Sequence, residues 1–91
     1  MEKHKAYRIT KRLIEAGDIK LLREIFEILP GTVVAADLGI HYVRLKTMIE
    51  NVEDFRLREL YQLAELIGIE GKILLLLADV QRESTRKERK K

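Results

Sequence analysis

The sequence predicts an all-α fold, a small domain of five to six helices with a basic C-terminal tail. Three observations carry that expectation. Apolar residues recur at spacings of three and four through most of the chain, as in helices that bury one stripe. Glycines and the single proline fall between those runs, where helices stop and restart. The 91 residues leave room for one core, since domains typically run to roughly 100–150 residues.

Ala6, Ile9, Leu13 and Ala16 form the stripe of a first helix, which Gly17 stops. Asp18 is placed to cap a second, in which Ile19, Leu22, Ile25, Phe26 and Leu29 keep the period until Pro30-Gly31 ends it. Thr32 is a suitable N-cap for a third segment, VVAADLG, whose small residues admit a close neighbour and which Gly39 stops. A fourth helix begins near His41. At 100° per residue Leu45, Met48, Ile49 and Val52 gather on one side as its core stripe, with Val43, Lys46, Thr47 and Glu50 opposite and Arg44 on the flank. Leu57, Leu60, Tyr61, Ala64 and Ile67 mark a fifth helix, ended by Gly68. The sixth, after Gly71, is apolar at every position from Ile73 to Leu77, more than one helix face buries in so small a domain. Half of that run is expected to complete the core and the rest to meet a second copy of the chain, with Leu74, Leu75, Leu76 and Leu77 as candidate dimer-interface residues. Residues 1–81 are thus expected to form a single helical domain and residues 82–91 a basic, flexible tail.

Apolar residues at 46% suffice for a folded core, whereas charged residues at 36% exceed the average of about 25%. The absence of cysteine excludes disulfide scaffolds, thiolate metal sites and cysteine nucleophiles. The longest apolar run, Ile73 to Ala78, is far short of a bilayer span of about 20 residues, and the start MEKHKAYR lacks the apolar stretch of a signal peptide. A soluble, cytoplasmic protein without a membrane partner is expected. The net charge of +3 conceals a gradient, because Lys3, Lys5, Arg8, Lys11 and Arg12 face only Glu2 at the head, and the tail is likewise cationic around an acidic middle. Basic flanks suit a polyanion, since each neutralised phosphate releases counterions, although solvated ends have the same composition. Enzymatic chemistry finds no support. There is no HExxH, no glycine-rich phosphate loop and no histidine pair at ligand spacing, His4 and His41 being far apart. Glu50, Glu53 and Asp54 lack the spacing of a calcium loop. Neither cofactor nor metal is expected.

Residues 32–69, TVVAADLGIHYVRLKTMIENVEDFRLRELYQLAELIGI, resemble the lambda-repressor-like (Cro/C1-type) helix-turn-helix family. Ala35, Leu38, Gly39, Ile40, Leu45, Met48 and Ile49 fall where that family has its small packing residue, turn glycine and core positions, and LYQLAELIGIE resembles its next helix. The resemblance implies a helix-turn-helix over about 32–51 whose second helix lies in a major groove. Three departures bear on function. His41 and Arg56 stand where the family has small capping residues, and Asn51-Val52-Glu53-Asp54 replaces its usual Gly or Pro, setting two acids beside the expected DNA backbone. Those acids count against tight binding by the core alone.

On that resemblance Tyr42, Val43, Arg44 and Thr47 are the candidate base-facing residues. Val43 and the Thr47 methyl suit a thymine methyl, Arg44 suits guanine or a phosphate, and Tyr42 offers its hydroxyl unless it packs at the core edge. Thr32, His41, Lys46 and Arg56 are candidate phosphate contacts, Thr32 through the N-terminal end of its helix. The function that follows is sequence-specific binding of double-stranded DNA by a homodimer, with transcription regulation as its consequence. A second function fits the same fold: an antitoxin-like module that binds a protein partner through the apolar last helix.

Overall fold

The computed structural model describes residues 3–89, with side chains from Lys5 to Arg86. His4 and the tail cations beyond Arg86, singled out above, lie outside the described side chains. The described residues form six α-helices, α1 (Lys3–Glu15), α2 (Leu22–Ile25), α3 (Gly31–Leu38), α4 (Tyr42–Glu50), α5 (Leu57–Ile67) and α6 (Gly71–Arg89), with a 3₁₀ turn at Val52–Asp54 and no strand. α5 and α6 pack along each other, α3 lies against α4, and α1 and α2 close the core from the side of α5 and α6 respectively.

α1 buries Ala6, Tyr7 and Thr10, with Leu13 and Ile14 half-covered, whereas Ala16 is exposed and Ile9 only partly covered. The stripe is rotated from the expected one because two polar residues enter the core with their hydrogen bonds made. The Tyr7 hydroxyl donates to Asp37 of α3 at 2.8 Å, and Thr10 donates to the Ala6 carbonyl at 2.8 Å. Burial, reinforced by the Asp37 carboxylate, holds the Tyr7 phenol above its ordinary range.

The expected second helix is only one turn long. Its apolar residues Ile19, Leu22, Ile25 and Leu29 are buried as the pattern requires, but after Ile25 the backbone continues in i→i+3 turns, with Phe26, Glu27 and Ile28 bonding to Arg23, Glu24 and Ile25. A spacing of three fits a 3₁₀ turn as well as an α-helix. Asp18 does not cap this segment. Glu24 does, its Oε1 accepting the N–H groups of Lys20 at 2.6 Å and Leu21 at 2.9 Å, and those two bonds hold its carboxyl below the usual range.

α3 starts two residues earlier than expected. Pro30 is its N-cap residue, its carbonyl accepting from Val33 and Val34, and Thr32 sits exposed inside the first turn. Proline's fixed φ, here −61°, predisposes the chain for that start. Gly39 closes α3 at φ +71°, a conformation that favours glycine. α4 then buries Leu45 and Met48 with Ile49 half-covered, and Val52 and Phe55 continue the core beyond it.

α5 differs from the expected pattern at four positions. Leu57 and Tyr61 are exposed, and Leu63 and the carboxylate-bearing Glu59 are buried. The Tyr61 ring lies over Gly71 so closely that any Cβ there would overlap it. α6 corrects two further expectations. No break falls at residue 82, because the helix runs on to Arg89. Leu74 is fully buried, at 0% exposure, so it belongs to the core and not to an interface; Leu75 and Leu77 are half-covered, and Leu76, at 64%, faces outward. Leu74, Ala78 and Gln81 share one face by the i, i+4, i+7 rule, which turns Leu76 to the far side. Gln81 uses its burial: Oε1 accepts the Arg23 N–H at 2.6 Å and Nε2 donates to the Ile49 carbonyl at 2.8 Å, tying α2 and the end of α4 to α6.

Candidate functional site

Most of the candidate DNA-contacting residues lie on α4, whose outer face is open to solvent. Its inner face is anchored by Leu45 and Met48, so the residues half a turn away must face outward. Val43 is 74% exposed, and Tyr42, Lys46, Thr47 and Glu50 are exposed around it. Thr47 donates its hydroxyl hydrogen to the Val43 carbonyl at 3.1 Å, which leaves its oxygen as an acceptor and its methyl outward. Lys46 has no ion-pair partner among the described residues. His41 precedes the helix with extended backbone, its carbonyl accepting from the Leu45 N–H at 3.1 Å while its exposed imidazole makes no capping bond.

Tyr42 combines the two roles left open by the sequence. It is exposed at the edge of the outer face, yet its ring rests on the start of α3, where a Cβ on Gly31 would approach a ring carbon to 2.7 Å. The ring thereby lies against the N-terminal end of α3, where Thr32 is exposed.

Arg44 departs from its expected place. Instead of pointing outward it grips α5, with Nη1 and Nη2 donating to Glu59 at 2.6 and 3.3 Å. Glu59 also accepts the backbone N–H of Arg56 at 2.9 Å, as the third residue of α5 commonly does for its cap position. Burial raises the Glu59 carboxyl, but the Arg44 fork, the Arg56 N–H and the two nearby cations outweigh it, so the carboxyl lies below its usual range. The same fork pushes the Arg44 guanidinium up. Arg44 is therefore a positioning residue that orients α4 against α5. The side chain of Arg56 is exposed and has no ion-pair partner among the described residues. Sequence reasoning passed over Glu59, Gln81 and Arg58. The capping spacing Arg56 to Glu59 was the one available signal for the first.

Of the two acids after α4, Glu53 faces a cation, and Asp54 accepts a hydrogen bond from Asn51. Arg82 of α6 reaches Glu53 at 3.8 Å across a groove of about 390 Å³, and it also pairs with Asp79 and Glu83 at 3.3 and 3.2 Å. Arg86 pairs with Glu83 at 3.6 Å. The basic tail's first two cations thus answer carboxylates of the protein itself. Among the described residues no group of side chains is arranged to hold a metal ion, and no helix is long and apolar enough to cross a membrane.

Comparison with family models, with curated proteins and with solved structures found no match to this chain.

Proposed function

We propose that the protein binds double-stranded DNA in a sequence-specific way and regulates transcription, using α3 and α4 as a helix-turn-helix of the lambda-repressor-like kind. The observation that carries this reading is the outer face of α4. An exposed Val43 sits among Tyr42, Lys46 and Thr47, on a short helix pinned from behind by Leu45, Met48 and the Arg44–Glu59 pair. Such a face offers apolar contact to thymine methyls, a hydroxyl for base edges and a cation for phosphate. Thr32, His41 and Arg56 flank it as phosphate contacts. In this reading α4 enters the major groove, the protein acts in the cytoplasm, and no cofactor is required.

The exposed Leu76 and Val80 on α6 support a homodimer, whose two copies would read half-sites roughly 34–36 Å apart. They equally suit a protein partner of apolar surface. Selection from a random-sequence duplex pool tests the DNA reading. A recovered motif with two related halves is expected, with Val43→Ala or Thr47→Ala relaxing the preference at one or two positions by about 1 kcal/mol or more per base pair. A pool that stays random, or a motif indifferent to both substitutions, contradicts it.

A further inference from the structure

On one side of the turn between α3 and α4 lies a cleft of about 310 Å³, floored by Leu38, Gly39 and Ile40 and rimmed by three arginines, Arg44, Arg56 and Arg58. A single carboxylate lines it, that of Glu59, and both of its oxygens are occupied, Oε2 by Arg44 and Oε1 by Arg44 and the Arg56 N–H. Asp54 is close enough to act on Arg44 but takes no place in the lining, and Asn51 donates to its Oδ2 at 3.3 Å. The cleft thus gathers three arginines around one carboxylate, that of Glu59, on which Arg44 and Arg56 both act, and neither Arg56 nor Arg58 makes an ion pair among the described residues. The first turn of α5, which carries both, adds the partial positive charge of a helix start. Arg44 is already held rigid by its fork to Glu59, so the rim is partly organised before any ligand arrives.

From this arrangement we infer that the cleft is a phosphate-binding site, with Arg56 and Arg58 as the gripping residues and Arg44 as their fixed neighbour. Planar guanidinium forks match the oxygens of a phosphate group, and more than one of them around a single cleft favours a ligand of multiple negative charges or a phosphodiester over a lone carboxylate. The phosphate has two possible sources, a free phosphate-bearing small molecule or the DNA backbone, and only the second rests on the function proposed above.

The test uses the full chain, labelled for amide NMR and titrated with inorganic phosphate against a chloride control of equal ionic strength. Saturable shifts of the Gly39, Ile40 and Arg58 amides are expected. They should be lost in Arg56→Ala/Arg58→Ala, whose two sites are exposed, and kept in Arg82→Ala/Arg86→Ala, which removes the same charge elsewhere. Shifts spread over every cationic surface, or unaffected by the first double variant, overturn the site. A duplex titration then separates the sources. If DNA moves the same amides, competes with phosphate and loses about one unit of log–log salt slope in Arg56→Ala/Arg58→Ala, the ligand is a backbone phosphate. If DNA leaves those amides unmoved while phosphate shifts them, the site takes a small phosphate-bearing molecule. A chain that binds no duplex removes the DNA function and leaves the site to be decided by the phosphate titration alone.

Discussion

The outer faces of α4 and α6 both expose apolar side chains, and their charges set them apart. On α4, Val43 and Tyr42 stand beside Lys46 and Glu50, both exposed and neither in an ion pair among the described residues. On α6, Leu76 and Val80 stand among cations that are paired, Lys72 with Glu70 at 3.3 Å, Arg82 with Asp79, Glu83 and Glu53, and Arg86 with Glu83. An apolar face with an unpaired cation suits a polyanion, whose phosphates can pair with it. An apolar face whose charges cancel suits another protein surface, where a buried, unmatched cation would be costly. The two outer faces thus differ in the pairing of their charges, in keeping with the DNA and dimer contacts proposed above.

Substitutions can break or sharpen this contrast. The largest effect is expected inside α6: Leu74→Ala should cost about 2–5 kcal/mol in urea denaturation, while Leu76→Ala, two residues on, should stay within about 0.5 kcal/mol for the monomer. Equal losses at both positions would mean that the helix is rotated from the orientation described. Gly71→Ala comes next. The added methyl collides with the Tyr61 ring, and the net cost after the gain in helix propensity should be about 1 kcal/mol. The same substitution made in Tyr61→Ala should be neutral or stabilising, and a cost that persists there would remove the steric explanation.

Acid unfolding is a third probe. The Glu59 and Glu24 carboxyls lie lower in the folded protein than in the unfolded chain. Their contribution to stability is therefore complete above the ordinary carboxylate range and is lost as pH falls through the folded values. Glu59→Gln and Glu24→Gln should each flatten the fall of the thermal midpoint from about pH 5 downward, and an unchanged acid limb would count against both networks. The smallest structural effect belongs to Leu76→Glu. It should leave monomer stability nearly unchanged and shift sedimentation from dimer to monomer, whereas an unaltered sedimentation coefficient would argue against α6 as the self-association face.

Much of the core was legible in the sequence. Leu45, Met48, Ile49 and Val52 lie on the inner side of α4 and its continuation, as the wheel requires, and Gly39 marks the turn before it. What hydropathy missed has a common cause. Tyr7, Thr10, Glu59 and Gln81 are polar residues admitted to the interior by hydrogen bonds, three of them to partners distant in sequence, and no local pattern reveals such partners. The second helix failed for another reason, since a spacing of three does not distinguish α from 3₁₀. At the candidate site, the exposure of Val43, Lys46 and Thr47 followed from periodicity. The inward turn of Arg44 followed from a carboxylate on α5 that only the fold brings near. The leucine run was ambiguous because five consecutive apolar residues span every direction, and packing on α5 decides among them.

The central claim is that the outer face of α4 meets DNA, and salt-dependent fluorescence anisotropy of a labelled random-sequence duplex tests it most directly, with wild-type, Lys46→Ala and Leu76→Glu proteins compared. Wild-type affinity should fall steeply with salt, and Lys46→Ala should bind more weakly with a log–log slope smaller by about one. Leu76→Glu should keep the per-monomer salt dependence while losing the added affinity of paired binding. Binding that is absent at low salt, or identical in wild-type and Lys46→Ala proteins, would contradict the claim.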